Sequence, residues 1–136
     1  MANCLIIEDS EVIRFVTQRI FKQLGHRGFE AETSEQGMSI CQSEDIDCVF
    51  LDWDMPHLGA LDFLQAAFAH GKFNGEIILC ASENDPQQFA LARAAGAKFH
   101  LLKPFDAMSI KAVLQQAGIE TGGEAMVTEE AVAKKA

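Results

Sequence analysis

Cys48-Val49-Phe50-Leu51-Asp52-Trp53-Asp54-Met55-Pro56 is the stretch on which the fold turns. Four apolar residues run without interruption into an acid. A strand with one wet face would alternate apolar and polar positions. A continuous run predicts a strand buried on both faces, the habit of parallel sheets covered by helices. The same grammar recurs along the chain. Cys4 to Ile7 runs into Glu8-Asp9, Ile77 to Ala81 into Ser82-Glu83, and Phe99 to Leu102 into Lys103-Pro104-Phe105, with a weaker run at Gly28 to Glu32.

Amphipathic segments separate these runs. Ser10 is placed to cap a helix whose inner stripe is Ile13, Val16, Ile20 and Leu24. Leu61, Leu64 and Phe68 mark another. Asp85 caps a helix opening at Pro86, with Phe89 and Ala92 on its inner side. Asp106 caps the last, with Ile110, Val113, Leu114 and Ala117 inward. Five β–α repeats predict an α/β domain with helices on both faces of a parallel sheet. With 136 residues the chain has room for one such domain. Residues 1–118 are expected to form it, and residues 119–136, opening with Thr121-Gly122-Gly123-Glu124, are expected to be a flexible tail.

Composition narrows the function. A net charge of −9 weighs against nucleic-acid binding and against adhesion to an acidic membrane. No apolar run approaches the roughly 20 residues of a membrane span, so no membrane insertion is expected. The first residues lack the basic flank and cleavage site of a signal peptide, which leads us to expect a cytoplasmic protein. Cys4, Cys41, Cys48 and Cys80 show no metal-ligand spacing and read as small apolar filler in a reducing compartment. His26, His57 and His70 read as surface residues.

The chemistry collects at the strand ends, where ligands sit in open parallel sheets. Glu8, Asp9 and Asp52 would share one pocket with Lys103. Carboxylates packed so closely repel one another unless a cation compensates, and Mg²⁺ is the hard ion that suits oxygen ligands and retained waters. Asp9 and Asp52 are the expected direct ligands, with Glu8 direct or through water, and the Asp54 carbonyl supplies another oxygen. Asp52 then becomes a nucleophile toward phosphorus, with charge on the transferred group met by the ion and Lys103. Ser82 or nearby backbone N–H groups are left for the third oxygen. A cis Lys103-Pro104 bond would turn the lysine inward.

Taken together, Glu8-Asp9, Asp52 followed by Met55-Pro56, and Lys103-Pro104-Phe105 resemble the receiver domain of bacterial response regulators over roughly residues 3 to 117. Leu51-Asp52-Trp53 with Glu83-Asn84-Asp85 is similar to the single-domain, chemotaxis-type (CheY-like) members. The resemblance implies a three-layer (βα)5 flavodoxin-like fold with a five-stranded parallel sheet in the order 2-1-3-4-5. It implies a phosphoacceptor module of a two-component phosphorelay rather than an enzyme with a separate substrate. Asp52 would take its phosphoryl group from a histidine kinase or a histidine phosphotransfer protein, catalysing its own phosphorylation and slow dephosphorylation. Output would pass by contact with a downstream target protein.

Three positions depart from the family pattern. Ala81 stands where a switching Ser or Thr is usual, with Ser82 one place later. His100 occupies the aromatic switch position. The turn that usually ends in Asp-Gly reads Gly59-Ala60. These departures keep open a second reading, a receiver-like binding module that works without phosphorylation. A third takes Asp52-Trp53-Asp54 as the Asp-x-Asp of a haloacid-dehalogenase-type phosphatase, against which stand its place on the third strand and an acidic pair that lies upstream.

Overall fold

The computed structural model describes residues 1–55, 59–69 and 73–120. Strands β1 (Asn3–Ile7), β2 (Arg27–Ala31), β3 (Cys48–Asp52), β4 (Glu76–Ala81) and β5 (Phe99–Leu102) alternate with helices α1 (Glu11–Gln23), α2 (Ser34–Ser43), α3 (Gly59–Ala69), α4 (Pro86–Ala94) and α5 (Ala107–Gln116). The strands form one parallel sheet in the order β2-β1-β3-β4-β5. This is the flavodoxin-like (βα)5 arrangement expected from the sequence.

Three of the uninterrupted runs have the cause inferred for them, whereas Phe99–Leu102 forms the edge strand β5 and alternates half-buried with exposed residues. Every residue of β3 is buried, and so are Cys4 to Ile7 of β1 and Ile77 to Ala81 of β4. Successive side chains point to opposite faces, so each run feeds two cores. Leu5, Ile7, Val49, Leu51, Ile77 and Leu79 pack with Phe63 and Leu64 of α3 and Phe89 of α4. Cys4, Ile6, Cys48, Phe50, Ile78 and Cys80 pack with Phe21 of α1 and with Ile110 and Leu114 of α5. The three strand cysteines are free and buried among these apolar groups, whereas Cys41 is half-buried on α2. Among the described residues, no helix is long and apolar enough to cross a membrane.

Local signals place the helix starts. The Ser10 hydroxyl accepts from Ile13 N, the Asp85 carboxylate accepts from Gln87 N and Gln88 N, and Asp106 and Ser109 form a reciprocal capping box. Thr33 caps α2 in the same way.

Two helical stripes differ from expectation. In α1 the inner positions are Thr17, Ile20 and Phe21, while Val16 is 43 % exposed and lies with Val12 and Phe15 on the outer side. Thr17 can be buried because its hydroxyl donates to the Ile13 carbonyl at 2.7 Å. In α3, Phe63, Leu64 and Ala67 are buried and Phe68 is 44 % exposed. Each helix therefore turns a face about one residue away from the one read from apolar spacing alone, because small or self-satisfied side chains fit against the sheet.

His26 is also a correction. It is buried, not a surface residue, and its Nδ1 accepts from Ala2 N at 3.1 Å. His57, His70 and the expected linker at Thr121 to Glu124 lie outside the described residues. Burial lowers the His26 imidazole below its ordinary value of 6.5. The unfolded chain therefore binds this proton more readily than the folded one. The contribution of His26 to stability is complete above about pH 6.5 and is lost as pH falls. Between about pH 7.5 and pH 5.5, thermal melts should show wild-type protein losing stability relative to His26→Gln. A difference that stays constant over that range would refute the assignment.

Candidate functional site

β1 lies between β2 and β3, so the chain leaves it in one direction and returns on the other side, opening a crevice at the carboxyl ends of β1 and β3. Glu8 follows the last residue of β1, and Asp52 ends β3. Both side chains are buried, whereas Asp9 is exposed. Carboxylate oxygens of Glu8, Asp9 and Asp52 nevertheless lie within 4.8 Å of one another.

Lys103, just past β5, reaches into this cluster. Its Nζ stands 2.7 Å from Asp52 Oδ1, 3.0 Å from Glu8 Oε1 and 3.4 Å from Asp54 Oδ2. The contact with Asp52 is a hydrogen bond. Glu8 Oε1 pairs with the lysine by charge, and among the described residues no hydrogen bond reaches that oxygen. The lysine is anchored from behind by its own N–H, which donates to the Ala81 carbonyl at 2.8 Å, and the Lys103-Pro104 peptide is cis, as the sequence suggested.

The two oxygens of Asp52 differ sharply. Oδ1 accepts from Lys103 Nζ and from Asp54 N at 2.9 Å. Oδ2 is buried and has no hydrogen-bond partner among the described residues. A buried, unpaired carboxylate oxygen is costly unless something else meets it. The carboxylates of Glu8, Asp9 and Asp52 together form an oxygen donor set that suits a hard divalent cation such as Mg²⁺ better than a soft metal.

The electrostatics show how incompletely one lysine balances the cluster. Burial, reinforced by neighbouring Asp52, pushes Glu8 up from 4.5 to about 7, against the lowering effect of the Ser10 N–H and of Lys103. For Lys103, burial works toward a lower pKa, but the Asp52 and Glu8 carboxylates outweigh it and hold the ammonium above its usual range. The lysine stays charged, and the excess charge is negative.

Several supports were not legible in the sequence. Arg14, one turn into α1, donates from Nη1 to the Glu8 carbonyl at 2.8 Å and meets Glu30 at 3.3 Å, fixing the β1–α1 turn. Its spacing from Glu8 was the available signal. For Asp54 the sequence points only to its carbonyl. In the structure its Oδ2 accepts from both the Ser82 backbone N–H, at 3.0 Å, and the Ser82 hydroxyl, at 2.8 Å. Ser82 is thus at the site, engaged by Asp54. Trp53 donates from its indole to Gln88 Oε1 at 3.0 Å. Ala81 ends β4 with its methyl in the core and no hydroxyl to offer. His100 is exposed, and its ring stacks on Phe89 with centroids 4.2 Å apart.

Comparison with known proteins agrees with this geometry. The family model for the response regulator receiver domain matches residues 4–115. A chemotaxis protein CheY homolog of Campylobacter jejuni is 26% identical over 114 residues, covering 82% of this chain and 88% of that protein. The sensory/regulatory protein RpfC of Xanthomonas campestris is 28% identical over 120 residues, 86% of this chain but only 16% of its own length. In three dimensions, the Vibrio cholerae chemotaxis protein CheY4 superimposes with a TM-score of 0.81 at 24% identity, covering 86% of this chain and 98% of that one. The match over residues 4–115 and the acidic crevice it encloses place the chain among the response regulator receiver domains.

Proposed function

We propose that this receiver domain carries its phosphoryl group on Asp52, taken from a phosphohistidine of a histidine kinase or a histidine phosphotransfer protein. The observation that carries the reading is Asp52 Oδ2, buried at a strand end and free of hydrogen bonds from the described residues while Oδ1 is held by Lys103 and Asp54 N. One oxygen is fixed and the other is left to attack phosphorus. The N–P bond of the donor breaks as the O–P bond forms, and the imidazole leaves with the electron pair.

Glu8, Asp9 and Asp52, with the Asp54 carbonyl, would hold Mg²⁺. When bound, the ion supplies positive charge for the cluster and for the transferred oxygens. The chain's own residues do the rest. Asp54 N and Lys103 set the angle of the Asp52 carboxylate. The Lys103 ammonium, kept protonated by two carboxylates, stands ready for charge developing on the phosphoryl oxygens. Ser10 N and Arg14 hold Glu8 and its turn in place.

A partner surface adjoins this site. The outer face of α1 exposes Val12, Phe15 and Val16, and a cleft of about 440 Å³ between α1 and the β5–α5 turn is lined by Val12, Ile13, Val16, Lys103, Pro104 and Phe105. Apolar docking beside the lysine suits a helical donor that presents its phosphohistidine to Asp52. Output then passes to a downstream target protein by contact. Ala81 and His100 favour one alternative, a receiver-like module whose binding does not depend on phosphorylation. A target that binds equally well before and after labelling would support that alternative.

Incubation with phosphoramidate and Mg²⁺ should add a single phosphoryl group by intact mass, and Asp52→Asn should add none. Labelling that survives in Asp52→Asn would remove the proposal. Lys103→Ala should keep Mg²⁺ affinity while slowing capture on the order of a hundredfold, the usual loss for one preorganised charge. Glu8 generates a pH test. Its folded-state value of about 7 lies above the ordinary 4.5, so its stability contribution is complete below about pH 4.5 and is lost as pH rises through 7. Without Mg²⁺, Glu8→Gln should be more stable than wild type at pH 8 by roughly 1–3 kcal/mol in urea unfolding, a gap that closes on acidification. Equal stabilities at pH 8 would show that Glu8 carries no such burden.

A further inference from the structure

Asp54 works with two different groups. Its backbone N–H steadies Asp52 Oδ1, while its carboxylate turns the other way. Asp54 Oδ2 accepts from Ser82 N and from Ser82 Oγ, and lies 3.4 Å from Lys103 Nζ. One anionic oxygen thereby gathers an amide, a hydroxyl and an ammonium.

These groups are what a phosphoryl oxygen on Asp52 would need. Lys103 already touches Asp52, and Ser82 supplies the first hydroxyl beyond β4, because Ala81 has none. A carboxylate oxygen and a phosphoryl oxygen present the same face to such donors, a hydrogen-bond acceptor carrying negative charge. Both cannot hold them at once, and a phosphoryl group beside Asp54 would also repel its carboxylate.

We propose that the Asp54 carboxylate stands in for a phosphoryl oxygen in the unphosphorylated protein, closing the Ser82–Lys103 cradle until the incoming group displaces it. The inference rests on the reading of Asp52 as phosphoryl acceptor. Asp54 is then a positioning residue that acts through Ser82 and Lys103 and sets how readily the site loads. Its side chain is 40 % exposed, so it can leave for water when displaced, at little cost in desolvation. The fully buried carboxylate of Asp52 has no such exit, which explains why the residue two places along carries this role.

The test compares the full chain with Asp54→Asn, Asp54→Ala and Asp54→Glu. With phosphoramidate and Mg²⁺, intact mass should show Asp54→Ala loading Asp52 about three- to tenfold faster than wild type, with Asp54→Asn between them. Asp54→Glu, which restores the charge, should return toward the wild-type rate. Beryllium fluoride with Mg²⁺, followed by Trp53 fluorescence, should bind Asp54→Ala more tightly by a similar factor. In Ser82→Ala, the further change Asp54→Ala should accelerate loading less than it does in the parent. That coupling would not arise from a general loosening of the loop. Wild-type protein that takes up phosphoryl while Asp54→Ala loads no faster and binds beryllium fluoride no more tightly would overturn this inference alone. A wild-type chain that takes up none would overturn it together with the acceptor reading.

Discussion

The Lys103 ammonium, set 2.7 Å from Asp52 and 3.0 Å from Glu8, is the interaction on which the rest depends. A single positive charge faces two buried carboxylates, with a third, more exposed one at 3.4 Å. Removing charges from water is costly, and one cation cannot repay that cost for three anions. The cluster relieves itself in the one way open to it without an ion, by pushing Glu8 toward protonation near neutral pH. The site is therefore poised for an external positive charge. A divalent cation entering it would meet the clustered carboxylates of Glu8, Asp9 and Asp52.

Such an arrangement survives because the sheet beneath it is stable enough to bear strain at its edge. β1 and β3 run buried through their last residues, and β3 sits between two parallel neighbours whose registers carry Leu51 opposite both Ile7 and Leu79. Asp52 has no freedom to withdraw toward solvent. Lys103 is pinned in turn by its own N–H on the Ala81 carbonyl. Two strand ends thus hold opposite charges together, and the apolar burial behind them offsets the electrostatic cost.

Much of this was legible because the residue types were unambiguous. Four apolar runs ending in Glu8-Asp9, Asp52, Ser82 and Lys103 named the fold, the strand ends and the charged cluster, and helix caps at Ser10, Asp85 and Asp106 behaved as their chemistry requires. What escaped was directional. Apolar spacing assigned Val16 and Phe68 to the core, but Thr17 could satisfy its own hydroxyl and small Ala67 could approach the sheet, so the helices turned the other way. His26 looked like a surface residue because a sequence cannot show an N–H arriving from Ala2, distant along the chain. The Asp54 carboxylate was missed for the same reason. Its partner Ser82 lies 28 residues away, and only the closed sheet brings them together.

Those tertiary contacts also bear on how a change at Asp52 would reach the surface. A Ser or Thr at position 81 would offer a hydroxyl directly to the site, and Ala81 offers a methyl group buried in the core. The material link from Asp52 runs instead through its chain neighbour. Trp53 follows it immediately, bonds through its indole to Gln88 on α4, and packs against the same core as Phe89. Phe89 in turn stacks on His100 of β5. One helix is therefore tied to the residue beside Asp52 and to the exposed ring on the neighbouring strand. A shift of the β3–α3 turn would strain the Trp53–Gln88 bond before it disturbed any hydroxyl, because at position 81 there is none to disturb. With Ala81 and His100 at these positions, the contacts that join the neighbourhood of Asp52 to β5 run through Gln88 and Phe89 of α4.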